Sequence, residues 1–154
     1  HIVERFAGEN PRTFDDKTGL ATIPVVAVQL PPEPTEGEFY DEILAALGAG
    51  FAGGSDVGRA RQLTRRLMGQ VGARMLLLDE ITEGLAPVIV EKLGEVLIAL
   101  KNKGLTIVLV EQNFHFAAPL ADRHYVVEHG QIVEEVSANE LSAKQSVLDG
   151  YLGV

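Results

Sequence analysis

Apolar residues in this chain fall into short unbroken runs and into runs spaced at three and four, and the two kinds alternate. Pro24-Val25-Val26-Ala27-Val28-Gln29-Leu30 is unbroken and rich in β-branched residues, the mark of a strand covered on both faces. Pro31-Pro32-Glu33-Pro34 ends it in an extended linker. Phe39, Tyr40, Ile43, Leu44 and Leu47 then share one helical face, and Gly48 is placed to cap it. After a glycine-rich loop over Gly48–Ser55, Asp56 opens a second helix with Val57, Ala60, Leu63, Leu67 and Met68 on its apolar side, ending near Gly72. Met75-Leu76-Leu77-Leu78-Asp79-Glu80 is another buried strand. Pro87 starts a helix whose stripe is Ile89, Leu93, Val96, Leu97 and Leu100, closed by Lys101, Lys103 and Gly104. Leu105–Val110 is a third covered strand, followed by a short helix over Asn113–Ala121.

Both ends of the chain are punctuated differently. His1–Ala7 reads as the tail of a helix stopped by Gly8 and Asn10-Pro11, and Arg12–Thr22 is polar and turn-rich. His124–Val127 and Gln131–Val136 flank His129-Gly130, a hairpin turn, and Ser137-Ala138-Asn139-Glu140 has the spacing of a capping box before a terminal helix. Strands alternating with helices predict an α/β domain with a mainly parallel sheet and a C-terminal β-hairpin, with no internal repeat. The 154 residues suit one domain.

Composition narrows the chemistry. A net charge of −9 disfavours a direct nucleic-acid surface, since phosphates are repelled on average. Arg59, Arg61, Arg65 and Arg66 crowd one stretch, which reads as a solvated helix face. The absence of cysteine removes disulfides, thiolate metal sites and a cysteine nucleophile, and fits a cytoplasmic protein. No apolar run approaches the roughly 20 residues of a membrane span, so no membrane insertion is expected. His115, His124 and His129 fall on different predicted elements at spacings that match no metal-ligand pattern. Without a Gly-x-Ser-x-Gly elbow there is no basis for a serine hydrolase.

The most informative local feature is Asp79-Glu80. An apolar strand lifts two carboxylates to the carboxyl edge of a parallel sheet, where α/β proteins place ligands. Adjacent strand residues point to opposite faces and so can take two different jobs. Taken alone, the same pattern also describes a strand leaving the core into a polar turn.

Two family resemblances meet at that pair. From Thr82 to Val154 the chain resembles the C-terminal part of the ATP-binding subunits of branched-chain amino-acid ABC transporters. The likeness is carried by Leu77-Leu78-Asp79-Glu80, Thr82-Glu83-Gly84-Leu85-Ala86-Pro87, Val108-Leu109-Val110-Glu111-Gln112-Asn113, Ala121-Asp122-Arg123, Glu128-His129-Gly130-Gln131-Ile132-Val133 and Tyr151-Leu152-Gly153-Val154. The resemblance implies Asp79 as the Walker B aspartate that holds Mg²⁺ through water and Glu80 as the catalytic glutamate. It implies a D-loop at Glu83, Gly84, Leu85 and Ala86 that touches a partner subunit, and Gln112 at the switch position. Ile81 stands where that family has proline.

The front of the chain is similar to TniB-type NTP-binding proteins of transposition, of the AAA+ class. That likeness rests on His1-Ile2-Val3-Glu4-Arg5-Phe6, Ile23–Gln29, Pro31-Pro32-Glu33-Pro34, Phe39–Leu44, Arg61-Gln62-Leu63-Thr64 and Val71–Leu76, running to Asp79-Glu80-Ile81. The two together imply a hybrid of P-loop NTPase material, TniB-like over 1–81 and ABC-like over 82–154, joined at the Walker B strand within a single three-layer domain.

A phosphate-binding loop would read Gly-x4-Gly-Lys-Ser/Thr, and no such string occurs among the 154 residues. In the TniB-like family this loop lies just before His1, so the chain reads as cut after it, without the Walker A strand and loop. Asp16-Lys17-Thr18 lacks the preceding glycine. Gly50–Ser55 is superficially similar to the ABC signature motif, but its spacing to Asp79 is too long and Phe51-Ala52 replaces Leu-Ser, so it reads as a flexible loop. Loop amides, lysine and helix dipole together grip a triphosphate. Mg-ATP, implied by the resemblance, is therefore expected to bind weakly and to be hydrolysed weakly or not at all by this chain alone. The alternatives are a non-catalytic, self-associating α/β scaffold and an ATPase whose loop comes from a partner chain. Expected partners are further copies of the chain and, by resemblance, ABC transporter or transposition proteins.

Overall fold

The computed structural model describes residues 2–31, 34–49 and 56–152, and these divide into two compact units, 1–110 and 111–154. In the first, α1 (Ile2–Glu9) precedes a small antiparallel hairpin of β1 (Thr13–Asp15) and β2 (Leu20–Thr22). The Asp15 carboxylate accepts the backbone N–H of Lys17 at 2.8 Å and so shapes the turn. This hairpin sits in the stretch that the sequence marks merely as polar and turn-rich; Phe14 and Leu20 are exposed on it, which is why no buried period announces it. Asp16-Lys17-Thr18 is therefore turn material.

The main sheet has three parallel strands in the order β3 (Val25–Gln29), β4 (Met75–Asp79), β5 (Thr106–Val110). Its register is unbroken: Val25 to Gln29 lie opposite Met75 to Asp79, which in turn lie opposite Thr106 to Val110. Helices α2 (Glu36–Ala46) and α3 (Val57–Gln70) connect β3 to β4, and α4 (Pro87–Lys101) connects β4 to β5. The α2 helix begins before the apolar stripe because Thr35 and Glu38 form a capping box, Thr35 Oγ1 accepting from Glu38 N at 3.2 Å and Glu38 accepting from Thr35 N at 2.7 Å. At its far end Gly48 takes φ +77, and the Arg12 guanidinium donates to the Ala46 carbonyl at 2.8 Å. Asp56 caps α3 through Gly58 N at 2.8 Å, and Pro87 occupies the first turn of α4, both as the sequence predicts.

Phe39, Ile43 and Leu44 of α2, Leu76 and Leu78 of β4 and Leu93 of α4 are all fully buried, so one core joins the middle strand to the helices around it. Phe39 and Tyr40 meet edge to face with ring centres 5.6 Å apart. Burial, with the Glu36 charge adding to it, pushes the Tyr40 hydroxyl up to about 12. Two strands are less covered than their composition predicts. Val25 and Ala27 of β3 are half-buried, and Val108 and Val110 of β5 are each 38% exposed. Among the described residues β5 is an edge strand, which leaves one side of it without a neighbouring strand.

The second unit holds α5 (Phe114–Ala117), the hairpin β6 (Arg123–Glu128) and β7 (Gln131–Ser137), a turn of 3₁₀ helix at Ala138–Glu140, and α6 (Leu141–Leu152). The short helix stops earlier than predicted, with Asn113 Oδ1 capping it through Phe116 N at 3.2 Å. His129 at φ +49 and Gly130 at φ +77 are the two left-handed residues of a type I′ turn, so the hairpin is confirmed in kind as well as place. A bulge lies between Val126 and Val127. The expected box at Ser137 is present, the Ser137 backbone N–H donating to the Glu140 carboxylate at 3.1 Å. Among the described residues no helix is long and apolar enough to cross a membrane.

Candidate functional site

The strand β4 does place a carboxylate at the carboxyl edge of the parallel sheet. Leu76, Leu77 and Leu78 are buried, and Asp79 follows at the rim, half-buried. Its register partners on either side are Gln29 of β3 and Val110 of β5. Burial, and after it the Glu80 charge, hold the Asp79 carboxyl above its ordinary value. A cation beside it would relieve both causes. The rim position of Gln29 follows from register, a long-range property that a single strand's pattern does not reveal.

Glu80 is placed by a different device from the strand alternation that the sequence suggests. It lies one residue beyond β4, exposed, with φ +46. Its backbone N–H donates to the Val110 carbonyl at 2.8 Å, its carbonyl accepts from Glu83 N at 3.3 Å, and the next side chain, Ile81, is 1% exposed. The chain is thus pinned on both sides of a left-handed residue, a conformation that costs a glutamate roughly 1–2 kcal/mol. Strain of this kind gathers where side chains are aimed for function. Ile81, the residue that departs from the ABC pattern, opens the turn that follows and sinks into the core.

Residues 81–84 form the turn itself, Leu85 N donating to the Thr82 carbonyl at 3.3 Å and Gly84 adopting φ +73. Thr82 is buried, whereas Glu83, Gly84 and Ala86 are exposed and Leu85 is half-buried. Asp79, Glu80 and the stretch Glu83–Ala86 are therefore continuous at one sheet edge. Gln112 belongs to the second unit, where it is exposed in a bend before Asn113.

The carboxylates here could hold a magnesium ion only together with oxygen donors from outside the protein. Magnesium is commonly held by one or two carboxylates, several waters and phosphate oxygens. Asp79 supplies one such carboxylate, and among the described residues no cluster of three or more His, Cys, Asp or Glu offers an all-protein cage. The three histidines weighed from the sequence lie apart on α5, β6 and the β6–β7 turn. Of these His124 is the unusual one, for burial lowers its pKa and its Nε2 is buried without a hydrogen-bond partner among the described residues. Gly50–Ser55 lies outside the described residues.

Comparison with known proteins gives two sets of relatives. The model of the family described as Bacterial TniB protein matches residues 1–110, past Thr82 and up to the boundary between the two units. The high-affinity branched-chain amino acid transport ATP-binding protein BraG of Pseudomonas aeruginosa is 45% identical over 80 residues, 52% of this chain and 34% of BraG. The probable branched-chain amino acid transport ATP-binding protein LivG of Archaeoglobus fulgidus is 27% identical over 81 residues, 53% of this chain and 32% of LivG. The chain thus spans about a third of the length of these two relatives. Among solved structures, cbiO1 from Clostridium perfringens, part of the ABC transporter complex cbiONQ, superposes with a TM-score of 0.52 at 18% identity, covering 82% of this chain and 62% of that one. The ADP conformation of MJ1267, an ATP-binding cassette of an ABC transporter, gives a TM-score of 0.53 at 18% identity, covering 85% and 69%. At these identities the structural likeness is one of fold, the P-loop NTPase type of α/β sheet. Both resemblances read from the sequence are found.

Proposed function

This chain belongs to the bacterial TniB family, and from that premise we propose that Asp79 and Glu80 form the acidic half of a magnesium–nucleotide site in an ATPase-derived module of ABC type. The observation that supports this reading is the half-buried Asp79 at the carboxyl end of the middle parallel strand, its pKa raised by burial and by Glu80. Asp79 would hold the hydrated ion. Bound there with a nucleotide, magnesium supplies neutralisation of charge on the phosphate oxygens. Glu80, exposed beyond the strand, orients a water and accepts hydrogen bonds from it. The exposed residues of Glu83–Ala86 form the surface offered to a partner subunit, and Gln112 acts as the switch residue. Further partners, on the same reading, come from ABC transporter or transposition assemblies.

Two carboxylates repel a polyanion unless a cation intervenes, and no Gly-x4-Gly-Lys-Ser/Thr string occurs in the 154 residues. Mg-ATP binding and hydrolysis by this chain alone are therefore weak. Isothermal titration of the chain with Mg-ATP is expected to give no low-micromolar binding that Asp79→Asn removes; tight binding that is lost in this variant would overturn the weak-binding part of the proposal. If a partner chain supplies a phosphate-binding loop, hydrolysis rises on mixing and disappears in Glu80→Gln. Activity of the mixture that survives this substitution removes Glu80 from the chemistry.

A second reading, a self-associating α/β module, is favoured by one observation. The β5 edge is uncharged from Thr106 to Val110, and two of its valines are exposed, a strand fit to pair with another copy. Sedimentation that stays monomeric at high concentration counts against it.

A further inference from the structure

At the amino ends of β4 and β5, the opposite edge of the sheet from Asp79, the chain forms an open cavity of about 550 Å³. Met68, Leu100 and Leu105 give it apolar walls, while Arg65, Arg66 and Lys103 bring three cations to it. Met68 and Leu100 are buried; the three basic residues are exposed. Among the described residues none of these cations is paired with a carboxylate. Desolvation first, and then the charges of Arg65 and Arg61, hold the Lys103 ammonium below its usual value, so the cluster is repulsive as it stands. In a chain of net charge −9 such a concentration runs against the overall balance.

Helix ends account for part of this charge and not for the rest. Lys103 directly follows Asn102, the C-cap of α4, where a cation complements the helix dipole. Arg65 and Arg66 precede the last turn of α3, which contains no basic residue. Their placement at the cavity is thus extra to what capping requires.

We propose that the cavity between the end of α3 and the α4–β5 turn binds a compact polyphosphate, carried either by a nucleotide or by a free oligophosphate chain. Several negative charges in a small volume answer three cations converging on a cavity of this size. An acidic peptide spreads its charge along the backbone, at about 3.3–3.6 Å per extended residue. An extended nucleic acid would run beyond the cavity onto a surface of net negative charge, where repulsion acts over about a Debye length of 10 Å. A compact ligand feels the local cluster alone. The apolar walls leave room for a base, so nucleotide binding tighter than that of the bare phosphate chain identifies the source.

The test is calorimetric titration of the full 154-residue chain with inorganic tripolyphosphate and, separately, with ATP. EDTA is present in both, so that binding through magnesium at Asp79 does not contribute. Saturable binding is expected, weakened at least tenfold in Arg65→Gln/Lys103→Gln and unchanged in Lys92→Gln, which removes a cation elsewhere on α4. Circular dichroism establishes that each variant is folded; if the double variant is not, Arg66→Gln alone must still weaken binding several-fold. Absence of binding, equal binding by the folded double variant, or tighter binding of polyglutamate than of tripolyphosphate overturns the proposal. Because EDTA is present, none of these outcomes depends on the Asp79 site.

Discussion

The left-handed backbone at Glu80 offers a direct measurement of how much the fold gives up to present that side chain. Replacing Glu80 by alanine and by glycine removes the same carboxylate and the same contacts of its side chain, so the difference between the two variants reports the backbone. At φ +46 alanine keeps a cost of about 1–2 kcal/mol that glycine does not incur. Glycine loses about 0.5–1 kcal/mol through its freer unfolded chain. The net expectation is that Glu80→Gly is more stable than Glu80→Ala by roughly 0.5–1 kcal/mol. The hydrogen bond from residue 80 N to the Val110 carbonyl and the burial of Ile81 hold this conformation in both variants, since neither depends on the side chain at 80. Urea unfolding followed by far-ultraviolet circular dichroism reads the difference, the chain having no tryptophan. With a slope of about 2 kcal/mol per molar, the midpoint of the glycine variant lies about 0.3–0.5 M higher. Equal midpoints, or a higher one for alanine, would refute the claim that strain is held at this residue.

Three further outcomes follow from burial and charge. Leu77→Ala, at a side chain 2% exposed in the middle strand, should cost about 2–5 kcal/mol, whereas Val108→Ala on the exposed face of β5 should cost clearly less; the two urea midpoints decide it. Asp79 has a raised pKa, so the fold binds its proton more readily than the unfolded chain does. Stability from this group therefore falls as pH rises from about 3.9 through the folded value, and Asp79→Asn should stabilise the ligand-free chain at pH 7 with the gain vanishing at acid pH. A pH series of midpoints parallel in the two proteins would contradict this. His124 has the opposite sense: burial lowers its pKa, so its contribution is intact above about pH 6.5 and is lost as pH falls through the folded value. His124→Phe, which keeps a ring near Phe114, should flatten that acid limb in thermal melts.

The elements most legible in the sequence are those whose signal is local. The caps at Asp56 and Ser137, Pro87 at the head of α4 and the left-handed pair His129-Gly130 each act within a few residues, and each is where the pattern puts it. The β1–β2 hairpin was not legible because its apolar residues, Phe14 and Leu20, remain exposed and leave no burial period. Burial of β5 was overread for a related reason. Thr106, Val108 and Val110 alternate onto one face of the strand and are exposed there, and an apolar run does not report whether a layer packs on that face. At the site, Asp79 was readable because three leucines lead into it. The left-handed backbone at Glu80 was not readable, because a glutamate carries no signature of positive φ. The Gln29 position depends on pairing between strands distant in the sequence.

We propose that the two resemblances join within Asp79–Thr82, with the family match running on through α4 and β5 to residue 110, and the sheet offers a physical reason why such a junction can be accommodated there. β4 is the middle strand, and all five of its residues have partners on both sides: β3, which precedes the proposed junction, and β5, which follows it. A chain exchanged immediately after β4 keeps β3, α2 and α3 as one packed set and receives α4 and β5 as another. What the incoming set must match is a row of five backbone hydrogen-bonding positions and one face of apolar side chains, both of which parallel strands of related folds share. The residue that must bridge the two sets is Ile81, at 1% exposure. An isoleucine there supplies the buried anchor and leaves its backbone N–H in place, which a proline would not. On this reasoning a junction at that point is tolerated because its demands are generic along β4 and specific at one side chain.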